Sequence, residues 1–228
     1  MNNTPHTNCL TLRLLHAAKG YKAVAFDIFD TLLKRDCAHP ADLFALMEVT
    51  HQAALGFAEA RVAAEAETRQ TLGREVTLAE IYAHPALRGT DPAAECAAEL
   101  AMIAPNRPVA QAAEACHARG QKVYAVSDMY LPKTQIEAML QKCGLDFLDG
   151  VFVSCEYGVQ KRSGKLFKLF LQQTALRPAE VLFVGDSPRA DFAGAALAGI
   201  RCFLLPQPTP LPYTKTPADA VEIGRAHV

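Results

Sequence analysis

Two carboxylates and a threonine, Asp27, Asp30 and Thr31, follow an apolar run in the stretch AVAFDIFDTLL at 23–33. No polar side chain interrupts the run before Asp27, as in a central strand buried on both faces. Three further groups of the same chemical character lie downstream: Ser127 and Asp128 after KVYAV, Lys161 in KRSGK, and Asp186 and Asp191 in GDSPRAD. Read singly, each has a plain structural explanation, such as a turn, a basic surface patch or a helix start with proline at its first position. Together they suit phosphoryl chemistry. A carboxylate can attack phosphorus and form an acyl phosphate, splitting one hard displacement into two easier ones. Two further carboxylates with a backbone carbonyl can hold Mg2+, whose hard shell favours oxygen. Lys161 and the Ser127 hydroxyl would then bind the phosphoryl oxygens and stabilise charge in the transition state.

These residues must be carried to one place, and the pattern of the chain says how. Strands are expected at 22–27, 122–126, 150–153, 181–184 and 201–204, alternating from 108 onward with helices at 109–119, 132–142, 164–173 and 188–197. Such alternation implies an α/β fold, a doubly wound parallel sheet with helices on both faces. Ligands of open parallel sheets bind beyond the carboxyl ends of the strands, where every one of these polar groups falls. A short helix at 10–18 is expected to dock on this core. The block 36–106 reads differently: it is alanine-rich and amphipathic, with helices at 41–52, 57–72, 78–83 and 92–103 and no convincing strand. Thr77 and Glu80 match a capping box, Asp91 precedes Pro92 as an N-cap, and Glu65 and Arg69 form an i,i+4 pair. The expected organisation is a leader at 1–19, a core at 20–36 plus 107–205, an all-helical cap at 37–106 over the sheet's carboxyl edge, and a proline-rich tail at 206–228.

Composition limits the partners. Half of the 228 residues are apolar and the charge is nearly balanced, 23 basic against 24 acidic, with no basic stripe to bind nucleic acid. Apolar runs are of strand length and no signal-like block opens the chain, so a cytoplasmic protein without a membrane partner is expected. The seven cysteines are scattered singly, which argues against a disulfide framework or a zinc ribbon; Cys116 and Cys202 are expected as small core residues. His39, His51 and His84 have no metal-like spacing. The last seven residues, EIGRAHV at 222–228, back-translate to a common sequencing-adapter DNA and read as a scar, with the natural protein continuing beyond.

The chain resembles the haloacid dehalogenase (HAD) superfamily, whose four motifs are matched in order by AFDIFDTL, VYAVSD, the lysine of KRSGKLF, and GDSPRAD. The resemblance covers about 21–205 and includes a helical cap between the first and second motifs. It implies a Rossmann-like core and a Mg2+-dependent hydrolase with Asp27 as nucleophile, Ser127 as phosphate-binding hydroxyl and Lys161 as stabilising lysine. Thr31 and Asp128 join Ser127 and Lys161 on the substrate side. Asp27, the Phe29 backbone carbonyl, Asp186 and Asp191 form the metal side. A small phosphorylated metabolite is the implied substrate. The wording FDIFDTLL, SDMYLP and KRSGKLF resembles a subgroup of hydrolases that accompany glycosyltransferase domains, and such a domain is an expected C-terminal partner.

One departure matters. Phosphatases of the superfamily carry D-x-D-x-T, with the second Asp as general acid and base; here Thr31 keeps its place and Phe29 occupies the second-Asp position. In one reading the loop coils so that Asp30 supplies the acid. In another no side-chain acid exists and only good leaving groups are handled. In a third the aromatic residue marks a metal-independent 2-haloacid dehalogenase, though GDSPRAD is complete. A fully extended strand would point Asp30 away from Asp27, whereas a turn removes that objection. A weakly catalytic, phospho-ligand-binding or regulatory domain is the non-enzymatic alternative. Substrate choice is expected of the cap; near the motifs, Arg35, Asp36, Met129, Tyr130 and Arg189 read as solvated loop residues.

Overall fold

The computed structural model describes residues 9–37 and 39–206. The expectations for residues 1–8, for the tail from 207 and for the scar at 222–228 lie outside them. The described chain forms two units: Arg35–Ile103 is one, and the chain up to Lys34 with Ala104–Pro206 is the other. In chain order the elements are α1 (Cys9–Ala17), β1 (Ala23–Phe26), β2 (Leu33–Arg35), α2 (Asp42–Val49), α3 (Phe57–Leu72), α4 (Leu78–Tyr82), α5 (Pro92–Met102) and β3 (Ile103–Pro105). They continue with α6 (Arg107–Ala118), β4 (Lys122–Ser127), α7 (Lys133–Lys142), β5 (Gly150–Val153), α8 (Ser154–Tyr157), α9 (Lys165–Thr174), β6 (Val181–Gly185), α10 (Gly194–Leu197) and β7 (Arg201–Leu204).

The larger unit is built on a five-stranded sheet in the order β5-β4-β1-β6-β7, all of it parallel. This is the α/β architecture expected from the alternation of strand and helix. Side chains leave a strand on alternate faces, and here both faces are apolar. On one face Ala23, Ala25, Phe152, Val181 and Phe183 pack against Leu166, Phe167 and Phe170 of α9 and Ala195 after it. On the other, Val24, Phe26, Val123, Ala125, Leu182 and Val184 are equally buried. The small residues Ala23 and Ala25 leave room for the Phe167 and Phe183 rings, which meet edge to face at 4.7 Å. Strand β1 is central. Its neighbours β4 and β6 lead to opposite edges of the sheet, so Asp27 leaves the sheet where the strand order reverses.

The unit Arg35–Ile103 holds α2 to α5 and a short 3-10 turn, Pro85–Leu87. Its local signals work as read. Thr77 Oγ1 accepts from the Glu80 N–H at 3.2 Å while Glu80 Oε2 accepts from the Thr77 N–H at 2.9 Å. Asp91 caps α5 through the Ala93 N–H, and Glu65 pairs with Arg69 at 3.0 Å. Losing the Thr77 hydroxyl strips one arm of the capping box, so Thr77→Ala is expected to cost about 1 kcal/mol in a urea titration.

Three expectations need correction here. Ile103–Pro105 is a strand, not the end of a helix, and pairs with Leu33–Arg35 in a two-stranded sheet. The β-branched Ile103 and the two prolines nearby, Pro105 and Pro108, explain why the helix stops at Met102. The helix expected at 188–197 is two pieces: a π-helical turn over Pro188–Ala193, then α10. Cys116 is buried, as expected, but Cys202 is only half-buried because β7 is an edge strand. Among the described residues no helix is long and apolar enough to cross a membrane.

Candidate active site

Asp27 stands one residue beyond β1, its backbone N–H still donating to Val184 O at 2.8 Å as the sheet ends. The chain then turns at once, closed by the Leu33 N–H on Ile28 O at 2.8 Å. Asn106 holds the turn from outside, its backbone N–H on Leu32 O and its side-chain amide on Thr31 O at 2.7 Å. Asp30 occupies the left-handed region, φ 59°, a conformation that Asp tolerates better than most residues. Its side chain is exposed. The turn removes the objection that an extended strand would aim Asp30 away. Phe29 is buried in the same turn.

Lys161 comes to Asp27 from across the sheet. It lies in a 3-10 turn, Lys161–Ser163, after β5 and α8, and is 3% exposed. Its Nζ sits 2.5 Å from Asp27 Oδ1 and 2.6 Å from Asp191 Oδ1. The backbone N–H of Lys161 donates to Asp128 Oδ1 at 2.8 Å. Asp128, expected to touch substrate, thus uses one oxygen to fix the lysine's own backbone. Ser127 ends β4 beside β1 and is buried.

The acidic motif is organised by Asp191. One carboxylate oxygen, Oδ2, accepts from the N–H groups of Asp186 at 3.0 Å and Ser187 at 2.9 Å, tying the loop after β6 to the π-helical turn. A Cβ on Gly185 would lie 2.3 Å from that oxygen, so the loop can close only over glycine. The other oxygen, Oδ1, is buried and has no well-aligned hydrogen bond, only the Lys161 ammonium at ion-pair distance. A Cβ on Gly194 would meet Lys161 O at 2.2 Å. The extra residue of the π-turn brings Gly194 against the lysine turn, an arrangement common beside functional sites. The Thr31 hydroxyl donates to Asp186 Oδ1 at a long 3.5 Å.

Asp27, Asp186 and Asp191 each offer an oxygen within 4.8 Å of the others. Burial pushes the Asp27 carboxyl up to about 7; Lys161 opposes the shift, and the Asp191 and Asp186 charges reinforce it. Burial alone would lower Lys161, but the Asp27, Asp191 and Asp128 charges outweigh it and hold the ammonium protonated. Asp186 is raised by burial, then by Asp191 and Asp30. Asp30 is therefore near enough to this edge for its charge to be felt there. The three carboxylates together carry more negative charge than the Lys161 ammonium neutralises, and the buried Asp191 Oδ1 has that ammonium at 2.6 Å but no well-aligned hydrogen bond. Both features fit a hard divalent cation with oxygens at about 2.1 Å.

Of the expected site residues, Lys161 is thus in direct contact with Asp27 and Asp191, Asp186 offers an oxygen within 4.8 Å of both carboxylates, and Thr31 and Asp128 are bonded to members of the group. Of the residues read as solvated, Met129 and Tyr130 are buried, and Arg35 is held by Glu99 through two hydrogen bonds. Asp36 and Arg189 are exposed, as are His39 and His51; His84 pairs with Glu67 at 3.0 Å. Gly185 was read only as the start of GDSPRAD, and Gly194 was not singled out in the sequence. Their signal was present, since each lies within three residues of a motif aspartate.

The fold is an open parallel sheet with a buried aspartate, a lysine and an acidic pair at its carboxyl edge. Residues 21–199 match the haloacid dehalogenase-like hydrolase family, and the chain belongs to that family. A phosphoserine phosphatase of Thermus thermophilus is 41% identical over 51 residues, 22% of this chain and 20% of that protein. The haloacid dehalogenase-like hydrolase domain-containing protein 3 of Bos taurus is 32% identical over 97 residues, 42% of this chain and 38% of that protein. The matched stretches therefore span well under half of either relative's length. Among solved structures, a HAD phosphatase from Thermococcus onnurineus superposes with a TM-score of 0.60 at 22% identity, covering 84% of this chain and 89% of that one. An L-2-haloacid dehalogenase from Xanthobacter autotrophicus gives 0.57 at 22% identity, covering 83% and 79%. At such identity the likeness is one of fold.

Proposed function

We propose that this chain is a Mg2+-dependent, phosphatase-like hydrolase acting on a phosphate ester or anhydride of a small metabolite through a phosphoryl group carried on Asp27. The observation that carries this reading is the buried Asp27 carboxylate, 2.5 Å from Lys161 Nζ and within 4.8 Å of the Asp186 and Asp191 oxygens. Asp27, Asp186 and Asp191, with the Phe29 carbonyl, are the groups to hold Mg2+, which when bound offsets the repulsion between these carboxylates and an anionic substrate.

The chain's own groups divide the work. An Asp27 oxygen bonds to phosphorus as the bond from phosphorus to the leaving oxygen breaks. Water then attacks the same phosphorus, returning the carboxylate and releasing inorganic phosphate. Lys161 Nζ and the Ser127 hydroxyl stabilise the charge on the transferring oxygens, and Asp191 and Asp128 hold the lysine in place for that purpose. Asp30 protonates the leaving oxygen and later takes the proton of water, standing in for the acid absent at Phe29. Choice among phosphorylated metabolites is assigned to the helical insertion, from its place in the sequence between the first two motifs.

The acid role has a measurable signature. Poor alkoxide leaving groups need protonation and good ones do not, so Asp30→Asn is expected to lower kcat on alkyl phosphates by about 10²- to 10⁴-fold, and on an activated aryl phosphate by no more than about tenfold. Equal effects on both substrates would remove Asp30 from the chemistry. Phe29 favours a second reading, in which Asp27 displaces halide from carbon. The deciding experiment is a panel of phosphate esters and anhydrides with and without Mg2+, run beside a 2-haloacid. Metal-dependent phosphate release is expected; chloride release without metal, and no phosphate from any ester, would overturn the reading.

A further inference from the structure

We infer that Ser154 is a positioning residue that sets the Ser127 loop in register with Lys161; the inference rests on the phosphatase reading. After Ser127 the chain runs through the loop 128–132, and after Val153, the strand partner of Ser127, it runs through α8 toward Lys161. These two segments are bonded rung by rung. The Met129 N–H donates to Ser154 Oγ at 2.9 Å, and the Ser154 hydroxyl donates to Met129 O at 3.3 Å. The Cys155 thiol donates to Leu131 O at 3.3 Å, and the Lys133 N–H donates to Glu156 Oε1 at 3.2 Å. Three consecutive side chains of α8 therefore clip Met129 and Leu131 of the loop and Lys133 at the start of α7.

The ring is closed at its far end. Asp128, the residue after Ser127, accepts the Lys161 N–H at 2.8 Å, so the hydroxyl and the lysine proposed to share the phosphoryl oxygens hang from one cross-bonded frame. Ser154 is the rung next to Asp128 along the loop and is wholly buried, and its bond to the Met129 amide is buried with it. Water cannot replace it without opening the packing around Met129, Leu131 and Cys155. Ser154 touches no reacting atom. Its effect is on where Ser127 stands relative to Lys161, and small displacements of a transition-state contact are costly in rate.

The test compares kcat and KM of purified wild type, Ser154→Ala, Ser154→Thr and Thr11→Ala on an aryl phosphate with Mg2+, with Asp27→Asn as blank. Thr11 is a matched control: a buried hydroxyl bonded to Pro108 O at 2.8 Å, on α1. Ser154→Ala is expected to lower kcat about ten- to hundredfold with KM changed far less. Ser154→Thr, which keeps the hydroxyl, should recover most of the loss, and Thr11→Ala should stay within about twofold of wild type. If Ser154→Ala does not fold, Ser154→Cys, which fills the space with a weaker partner, takes its place in the comparison. Wild-type activity with Ser154→Ala no slower than Thr11→Ala overturns the positioning role alone. Absence of Asp27-dependent phosphate release in the wild type overturns the phosphatase reading and the positioning role with it.

Discussion

Asp27→Asn is expected to reduce phosphate release by at least about 10³-fold, leaving at most the background of oriented binding. The amide keeps the size and the shape of the carboxylate but cannot displace an alcohol from phosphorus. The fold should survive the change. Asp27 sits buried among Asp186 and Asp191, and its burial already disfavours the charged form. Removing a charge from so crowded a group relieves repulsion, and the Lys161 ammonium retains Asp191 at 2.6 Å. The thermal midpoint of Asp27→Asn should therefore be no lower than that of wild type while activity is lost. A variant that lost activity and stability together would point to a structural carboxylate instead.

The largest stability effect is expected in the helical unit, at Arg61. Its guanidinium is wholly buried and grips Glu95, also wholly buried, through Nε at 2.6 Å and Nη2 at 2.8 Å. A third nitrogen reaches Glu65 at 3.0 Å, and the Phe44 ring lies 4.8 Å beneath the charge. Tyr82 completes the set by donating its hydroxyl to Glu95 Oε2 at 2.9 Å; burial and the Glu95 charge hold that phenol well above its ordinary range. Arg61→Ala would leave Glu95 buried with its main counter-charge gone, at a cost of about 3–5 kcal/mol. The half-buried Glu65–Arg69 pair, an i,i+4 contact, should be worth only about 0.3–0.5 kcal/mol. Urea unfolding or hydrogen exchange of α3 and α5 reads the difference. The double variant Arg61→Met with Glu95→Leu should recover most of the loss, since a well-packed apolar pair avoids the desolvation of both charges. A single variant within about 1 kcal/mol of wild type would show the pair to be solvated.

Much of this was legible in the sequence, and what was not has a common cause. Strands Gly150–Val153 and Arg201–Leu204 and helix Phe57–Leu72 lie where periodicity and flanking glycines place them, because those signals are local. The motif residues Asp27, Lys161, Asp186 and Asp191 converge because a parallel sheet gathers its strand ends on one edge. The π-helical turn was not legible. It depends on Asp191 reaching back to two backbone amides and on Gly194 meeting Lys161 O, contacts that exist only in the assembled fold. Asp30 illustrates the same limit, since an Asp with positive φ is held there by a turn that Asn106, far along the chain, secures. Arg61 reads as one charge among many on an alanine-rich helix. Only Glu95, on another helix, makes it a core residue.

Asp27 is the proposed carrier of the phosphoryl group. Acid quench of a single turnover, followed by mass spectrometry of the peptides, tests this role most directly. One phosphoryl group, acid-stable and hydroxylamine-labile, is expected on the peptide containing Asp27, and none in Asp27→Asn. Phosphate released in full with no phosphoryl group on that peptide at any quench time, or the same adduct in Asp27→Asn, would contradict this role.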